Sequence, residues 1–202
     1  MTIGYRQAKL SDIPGIVNAH QEAFPKFFMT ALGTRFLGVY YRRILDYPDH
    51  VFWIKEGPEG LEGFVSGFLD PVEFYKQMRR NRFHYLIPIL HQVLLHPRMI
   101  LRLFASYAEM WRAIREEEPG TCELSSIAVI PRFGRRGVGN GLANAFIESV
   151  RGKAHFILLT TDAVANDDVN RFYLKLGFVL DASYKRSKGR VMNKYRFPLT
   201  PH

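Results

Sequence analysis

The sequence predicts an α/β domain in which a mixed sheet carries helices on its faces. Apolar runs up to residue 69 follow the order strand, helix, helix, strand, strand, and from Glu123 onward strands and helices alternate. A stretch rich in glycine and arginine, Pro131 to Leu142, joins a strand-like run, Glu123 to Ile130, to a helix-like run, Gly139 to Val150. With 47% hydrophobic and 14% aromatic content over 202 residues, the chain suffices for one sizeable domain with a real core, 1–202.

In order, Thr2 to Lys9 pairs as a first strand, and Ser11-Asp12 caps a helix whose apolar positions Ile13, Ile16, Val17 and Phe24 keep helical spacing. Pro25 closes it. Phe27, Phe28 and Met29 form an aromatic connector, and Thr34 caps a second helix with Leu37, Tyr40, Tyr41, Ile44 and Leu45 on one face, stopped by Pro48. Val51 to Ile54 and Leu61 to Leu69 are two strands joined by the hairpin signal Glu56-Gly-Pro-Glu-Gly60. Later come a strand at Glu123 to Val129, a helix at Gly139 to Val150, a strand at His155 to Thr161 and a helix at Val169 to Leu176. Strands from Phe178 onward and at Val191 to Phe197 flank a turn at Ser187-Lys-Gly189.

The stretch 70–120 exceeds ordinary connections several-fold and needs structure of its own. Ile100, Leu103, Phe104, Tyr107, Trp111 and Ile114 recur at i, i+3, i+4, i+7 spacing, which predicts a helix starting near Pro97; a shorter one runs through Ile87 to Leu95.

Lys and Arg number 28 against 19 Asp and Glu, a formal charge of +9, so the protein attracts anions: nucleotides, phosphorylated small molecules, nucleic acid or an acidic membrane surface. The single cysteine, Cys122, excludes an intramolecular disulfide and a cysteine-built metal site, as suits a reducing compartment. Nothing at the start reads as a signal peptide, and the longest nearly apolar stretch, Tyr85 to Leu95, is too short to cross a bilayer, so a cytoplasmic location is expected. The histidines are scattered without metal-ligand spacing, and no metal is expected; His84, His91 and His96 read as surface or cap residues.

The Gly-Arg turn is a place for phosphates. Glycines let the backbone approach closely, the first helical turn leaves N–H groups free, and the helix dipole favours an anion there. A basic surface turn is the plain alternative. A dinucleotide fingerprint over Gly137-x-Gly139-x-x-Leu142 fits less well, because its third glycine is absent and its first does not directly follow the strand.

The element order, Val129-x-Pro131, Gly-Arg-Arg-Gly-Val-Gly139, and Asn166-x-x-Val-x-x-Phe-Tyr173 followed by Leu176-Gly-Phe178 together resemble the GNAT superfamily of acyl-CoA-dependent N-acyltransferases. The likeness covers residues 2–69 and 121–197. It implies a mixed, mainly antiparallel sheet of six to seven strands flanked by helices, with 70–120 as a helical insert between the third and fourth strands. It also implies acetyl-CoA as acyl donor. In the family, backbone amides of a Gln/Arg-x-x-Gly-x-Gly/Ala loop hold the pyrophosphate of coenzyme A; the matching run is Gly134, Arg135, Arg136, Gly137, Val138 and Gly139, with Gly134 where a Gln or Arg is usual. Strand backbone around Ala128, Val129 and Ile130 would pair with the pantetheine amides, which Asn166 would also contact, although Asn166-Asp-Asp equally reads as a helix N-cap. Tyr173, seven residues after Asn166, would protonate the departing thiolate; two packed core aromatics are the plain reading of Phe172-Tyr173.

The acceptor amine needs a base. In some relatives it lies five residues before the motif asparagine, where this sequence has Thr161. Glu123 is the first candidate and Asp162 the second, with Ser125 or Ser126 as water holders. Phe27, Phe28, Ser125 and Arg186 are candidate acceptor-binding residues. Basic runs at Lys185 to Arg190 and at Arg79, Arg80 and Arg82 are solvated faces or attract an anionic acceptor, for which an amino sugar on a nucleotide diphosphate fits. A weaker likeness, carried by Phe24 to Met29, Leu32-Gly33 and Phe36-Leu37, is to GNAT proteins of bacterial surface-polysaccharide clusters. A peptide or protein amine as acceptor, and a noncatalytic acyl-CoA or nucleic-acid binding module, stay open; nucleic acid is not the expected partner. For 70–120, a lid, a homodimer contact and a peripheral membrane contact stay open, the first two preferred.

Overall fold

A computed structural model describes residues 4–81, 119–186 and 189–199. The helices expected over 87–95 and from Pro97, with Tyr85, Arg82, His84, His91 and His96, lie outside the described residues, as does part of the turn at 187–189.

One seven-stranded sheet organises the chain, in the order β1-β2-β3-β4-β5-β7-β6. Its strands are β1 Tyr5–Gln7, β2 His50–Gly57, β3 Gly60–Leu69, β4 Thr121–Val129, β5 Phe156–Asp162, β6 Val179–Lys185 and β7 Val191–Pro198. Only β4 and β5 run parallel; the other neighbours are antiparallel. The helices are α1 Ile13–Ala23, α2 Phe28–Ala31, α3 Thr34–Asp46, α4 Pro71–Arg80, α5 Val138–Val150 and α6 Asp167–Lys175. Every predicted strand is present.

Period-two alternation divides the core between the two faces of the sheet. Ile16, Leu37, Tyr41 and Ile44 of α1 and α3 pack with Phe52, Phe64, Phe68 and Ala128. On the other face Leu142, Phe146 and Val150 of α5 pack with Val51, Val65, Cys122, Leu124 and Ile157, continuing to Tyr173, Phe178 and Tyr195. Each face buries large side chains completely, so the sheet is held from both sides.

Local details depart from expectation for identifiable reasons. Asp12 stands at the N-cap of α1 but its side chain caps nothing in that helix; Arg6 takes both carboxylate oxygens, at 2.7 and 2.9 Å. A bidentate, charge-assisted pair outweighs one cap bond. Gly33, not Thr34, is the N-cap of α3, with a φ of 91° that favours glycine. Helix α4 was not expected, although Asp70 accepts from the Glu73 N–H at 3.0 Å and Pro71 opens the first turn, both ordinary start signals.

Candidate active site

Strands β4 and β5 pair only over Thr121↔Phe156, Cys122↔Ile157 and Glu123↔Leu158, whereas β4 stays paired with β3 to Val129 and β5 with β7 to Asp162. From Leu124 onward the two strands therefore diverge, and a cleft of about 530 Å³ occupies the wedge. Between Ser66↔Ser126 and Gly67↔Leu124 the register slips, so Ser125 is an extra residue bulged out of β4 at the mouth of the wedge. Bulges re-aim side chains; here Ser125 Oγ meets Tyr40 Oη of α3 at 2.6 Å.

Beyond the bulge β4 presents an open edge. Ile130 N–H donates to Glu62 O at 2.9 Å, so by antiparallel alternation Ala128 also bonds β3 while Ile127 and Val129 turn their N–H and C=O toward the cleft. Of the backbone expected to hold an extended ligand, Val129 is thus available. Ala128 and Ile130 are occupied by β3, and both side chains are buried on the α1/α3 face; Ile127 replaces them.

The glycine turn before α5 also borders the cleft. Gly137 is the N-cap of α5 at φ 81°, and Arg135 shares the left-handed region at φ 60°. Those two turns swing the chain so that the first turn of α5, whose N–H groups lack intrahelical acceptors, faces the cleft. A Cβ on Gly137 would meet nothing within 4 Å, and one on Gly139 would only touch Phe172 at 3.5 Å and Val129 at 3.7 Å. Glycine at 139 is therefore not demanded by protein packing; it leaves space in front of free N–H groups. Gly134, Arg135, Gly137, Val138 and Gly139 line the cleft. Arg136 does not, and lies over the Phe133 ring, as does Arg132.

Helix α6 forms the opposite wall. Asn166 is its N-cap but makes no cap bond; its Nδ2 donates to Thr161 Oγ1 at 2.9 Å and Asp162 O at 3.1 Å, tying α6 to the end of β5. Asn170, which the sequence did not single out, braces the same junction. It donates to Asp162 O and Asn166 O at 3.0 and 2.9 Å, and its Oδ1 accepts from Asn193 Nδ2 at 3.1 Å and Tyr195 Oη at 2.8 Å.

That brace fixes Tyr173, one turn further along α6. Its ring is packed against Phe172, Phe178 and Tyr195, it is only 6% exposed, and it lines the cleft. Its hydroxyl hydrogen-bonds no described residue. Burial pushes the phenol well above its ordinary value, so it keeps its proton at neutral pH.

Other expected residues fall elsewhere. Glu123 sits on the last rung where β4 and β5 still pair, its carboxylate accepts from Tyr75 Oη of α4 at 2.8 Å, and it is not among the cleft-lining residues. Asp162 is gripped by Arg190 through both oxygens, at 2.5 and 2.6 Å, and is not among the cleft-lining residues. Arg186 is held in the β6–β7 turn, its N–H donating to Arg190 O at 2.7 Å. Phe28 packs against the α1/α3 core, whereas Phe27, 43% exposed, lines the cleft beneath the Arg190 guanidinium. Ser125 and Ser126 both line it. His20, unremarked in the sequence, does as well.

A wedge between two strands, one open edge and a glycine-lined helix start thus meet in one cleft. Residues 102–178 match the Acetyltransferase (GNAT) family, a segment that begins inside the stretch read as an insert and ends after α6. No curated protein is similar enough in sequence to count as a relative. Among solved structures, yncA of Salmonella typhimurium, with its cofactor acetyl-CoA, aligns at TM-score 0.62 and 15% identity over 98% of this chain and 94% of its own. An N-acetyltransferase from Staphylococcus aureus aligns at 0.62 and 14% over 96% and 99%. The ribosomal-protein-S18-alanine N-acetyltransferase of Escherichia coli aligns at 0.59 and 13% over 98% and 94%. These likenesses concern the fold. The chain has the fold of these acetyltransferases, and residues 102–178 carry the GNAT family match. Among the described residues no group of side chains could hold a metal ion, and no helix is long and apolar enough to cross a membrane.

Proposed function

We propose that the protein moves the acetyl group of acetyl-CoA to the primary amine of a small molecule, an amino sugar, by direct attack with Tyr173 as general acid. The observation that carries this reading is the meeting, in one cleft, of the open β4 edge, the Gly137–Gly139 helix start and the Tyr173 ring. Free N–H groups of the first turn of α5 would hold the pyrophosphate, and Ile127 and Val129 would pair with the pantetheine arm. Asn166, whose Nδ2 is committed to β5, has its Oδ1 left as an acceptor toward the ligand. A neighbouring groove between α5 and α6, bounded by Asn140, Asn144, Arg171 and Lys175, would take the adenosine end. Tyr173 would hold a proton at Oη for the sulfur that leaves.

The acceptor end supports a sugar. Phe24 and Phe27 pack together, ring centroids 4.9 Å apart, and form an apolar wall on the cleft. The basic excess of the chain favours an acceptor that also carries negative charge. The residues 1–202 are read as one catalytic domain, with 70–120 as an insert within it.

Mass spectrometry of acetyl-CoA reactions against nucleotide-linked amino sugars, free amino sugars, polyamines and peptides tests the reading. The expected product is a singly acetylated amino sugar. Turnover confined to peptides would replace the acceptor class, and tight, salt-sensitive RNA binding without coenzyme A binding would overturn the enzyme reading itself.

A further inference from the structure

Three titratable side chains among the described residues line the cleft: His20, Arg135 and Tyr173. The roles above leave His20 unused, and its surroundings are unusual for a core histidine. It is 3% exposed, it projects from α1, and Nδ1 lies 2.6 Å from Tyr41 Oη of α3. Nε2 is buried at the cleft wall and has no hydrogen-bond partner among the described residues. Phe24, part of the presumed acceptor wall, stands edge-on to the ring at 5.0 Å.

The histidine is wired to the β4 bulge. Tyr41 is wholly buried, and burial drives its phenol far up while the neighbouring Ser126 side chain works against that rise. Ser126 pairs in register with Ser66, itself buried, and Ser125 is bonded to Tyr40. A strip of polar groups from α1, α3, β3 and β4 thus crosses an aromatic core and ends at the place where β4 leaves β5.

The tautomer follows from satisfaction. Buried orphan N–H donors are rarer than under-used acceptors, so the imidazole is better placed with Nδ1–H donating to Tyr41 and a bare lone pair on Nε2. Tyr41 can then donate to Ser126. Burial also drops the imidazole's ionisation to about 4, so the ring stays neutral and its lone pair available through the neutral range.

Resting on the acyl-transfer reading above, we propose that His20 Nε2 takes the proton released by the acceptor amine, directly or through one water molecule, with Tyr41 as the positioning residue that fixes the ring. The nitrogen forms its bond to the acetyl carbon and gives one proton to Nε2. The carbon–sulfur bond breaks, and sulfur takes one proton from Tyr173 Oη. The resulting imidazolium loses its proton to solvent and the phenolate regains one, so coenzyme A leaves as the thiol and the acceptor as the amide.

Two measurements decide this. In protein labelled with ¹⁵N-histidine and saturated with coenzyme A, long-range ¹H–¹⁵N correlations should show His20 protonated at Nδ1 and bare at Nε2 at neutral pH; a protonated Nε2 overturns the proposal. With the acceptor from the panel above, His20→Gln and His20→Ala should lose roughly 100-fold in kcat while keeping KM for acetyl-CoA, and added imidazole should restore part of the rate in His20→Ala. A folded His20→Gln within about threefold of wild type overturns it. If the alanine variant does not fold, Tyr41→Phe serves: it should lower kcat and mix the two tautomers of His20, and an unchanged tautomer with unchanged kcat counts against the wiring. Should wild type acetylate nothing, the acyl-transfer reading has failed, and the tautomer measurement still judges His20 separately.

Discussion

Glu123 and Leu158 form the last rung between β4 and β5. One residue later the strands separate, and the bulge at Ser125, the open edge at Ile127 and Val129, and the cleft all follow from that separation. The same rung explains why Glu123 is not in the cleft: its strand is still closed on both sides there.

The glycine turn should respond differently at its two positions. Gly139→Ala places a methyl at ordinary contact distance from Phe172, so the fold should keep or slightly gain thermal stability, alanine being the better helix former. In the proposed cradle the methyl would stand where phosphate approaches, and calorimetry should record coenzyme A affinity at least about tenfold weaker. Gly137→Ala should instead lose about 1–2 kcal/mol of stability, because φ 81° strains any side chain. Equal behaviour of both variants would count against a phosphate cradle.

Asn170→Ala should cost ~1–3 kcal/mol in denaturant melts, since it strands Tyr195 Oη and removes one of the two side-chain ties to Asp162 O, and it should lower kcat by loosening the helix that carries Tyr173. A melt unchanged from wild type would show that the brace does not hold α6.

His20 gives stability a pH dependence of known sign. The folded imidazole ionises at about 4 because burial opposes its charge, whereas the unfolded chain binds that proton near 6.5. Between those values the unfolded state holds the extra proton, so stability falls as pH drops from 7 toward 4, by about 3 kcal/mol in full. Urea melts across that range should show a shallower fall in His20→Gln; identical slopes would contradict the burial of a neutral ring.

Cys122 is buried, and burial first, then the Glu123 charge, pushes its thiol well above the ordinary range. An aromatic disulfide reagent should label it only after unfolding, so released coenzyme A can be followed without background from the enzyme. Rapid labelling of native protein would place that thiol elsewhere.

Much of the site was legible because it is local in sequence. Period two on β4, period 3.6 on α5 and α6, and the Gly137-x-Gly139 spacing each signal themselves within a dozen residues. The bulge at Ser125 was not, since register depends on β3. Nor was the histidine, because its partner Tyr41 is 21 residues away on another helix and meets it only through packing. Glu123 and Asp162 looked like bases by position alone; Tyr75 and Arg190, which engage them, arrive from α4 and from the end of the β6–β7 turn. Helix α4 did carry start signals in Asp70, Pro71 and Glu73, yet its apolar residues were too few to stand out beside the stronger pattern after Pro97.

The central claim is that Tyr173 delivers the proton to the leaving sulfur in this cleft. Its most direct test is single-turnover acetyl transfer by Tyr173→Phe at saturating acetyl-CoA, since phenylalanine preserves the packing against Phe178 and Tyr195. A fall of roughly 100-fold in rate with acetyl-CoA affinity unchanged is the predicted result; a rate equal to wild type would contradict it.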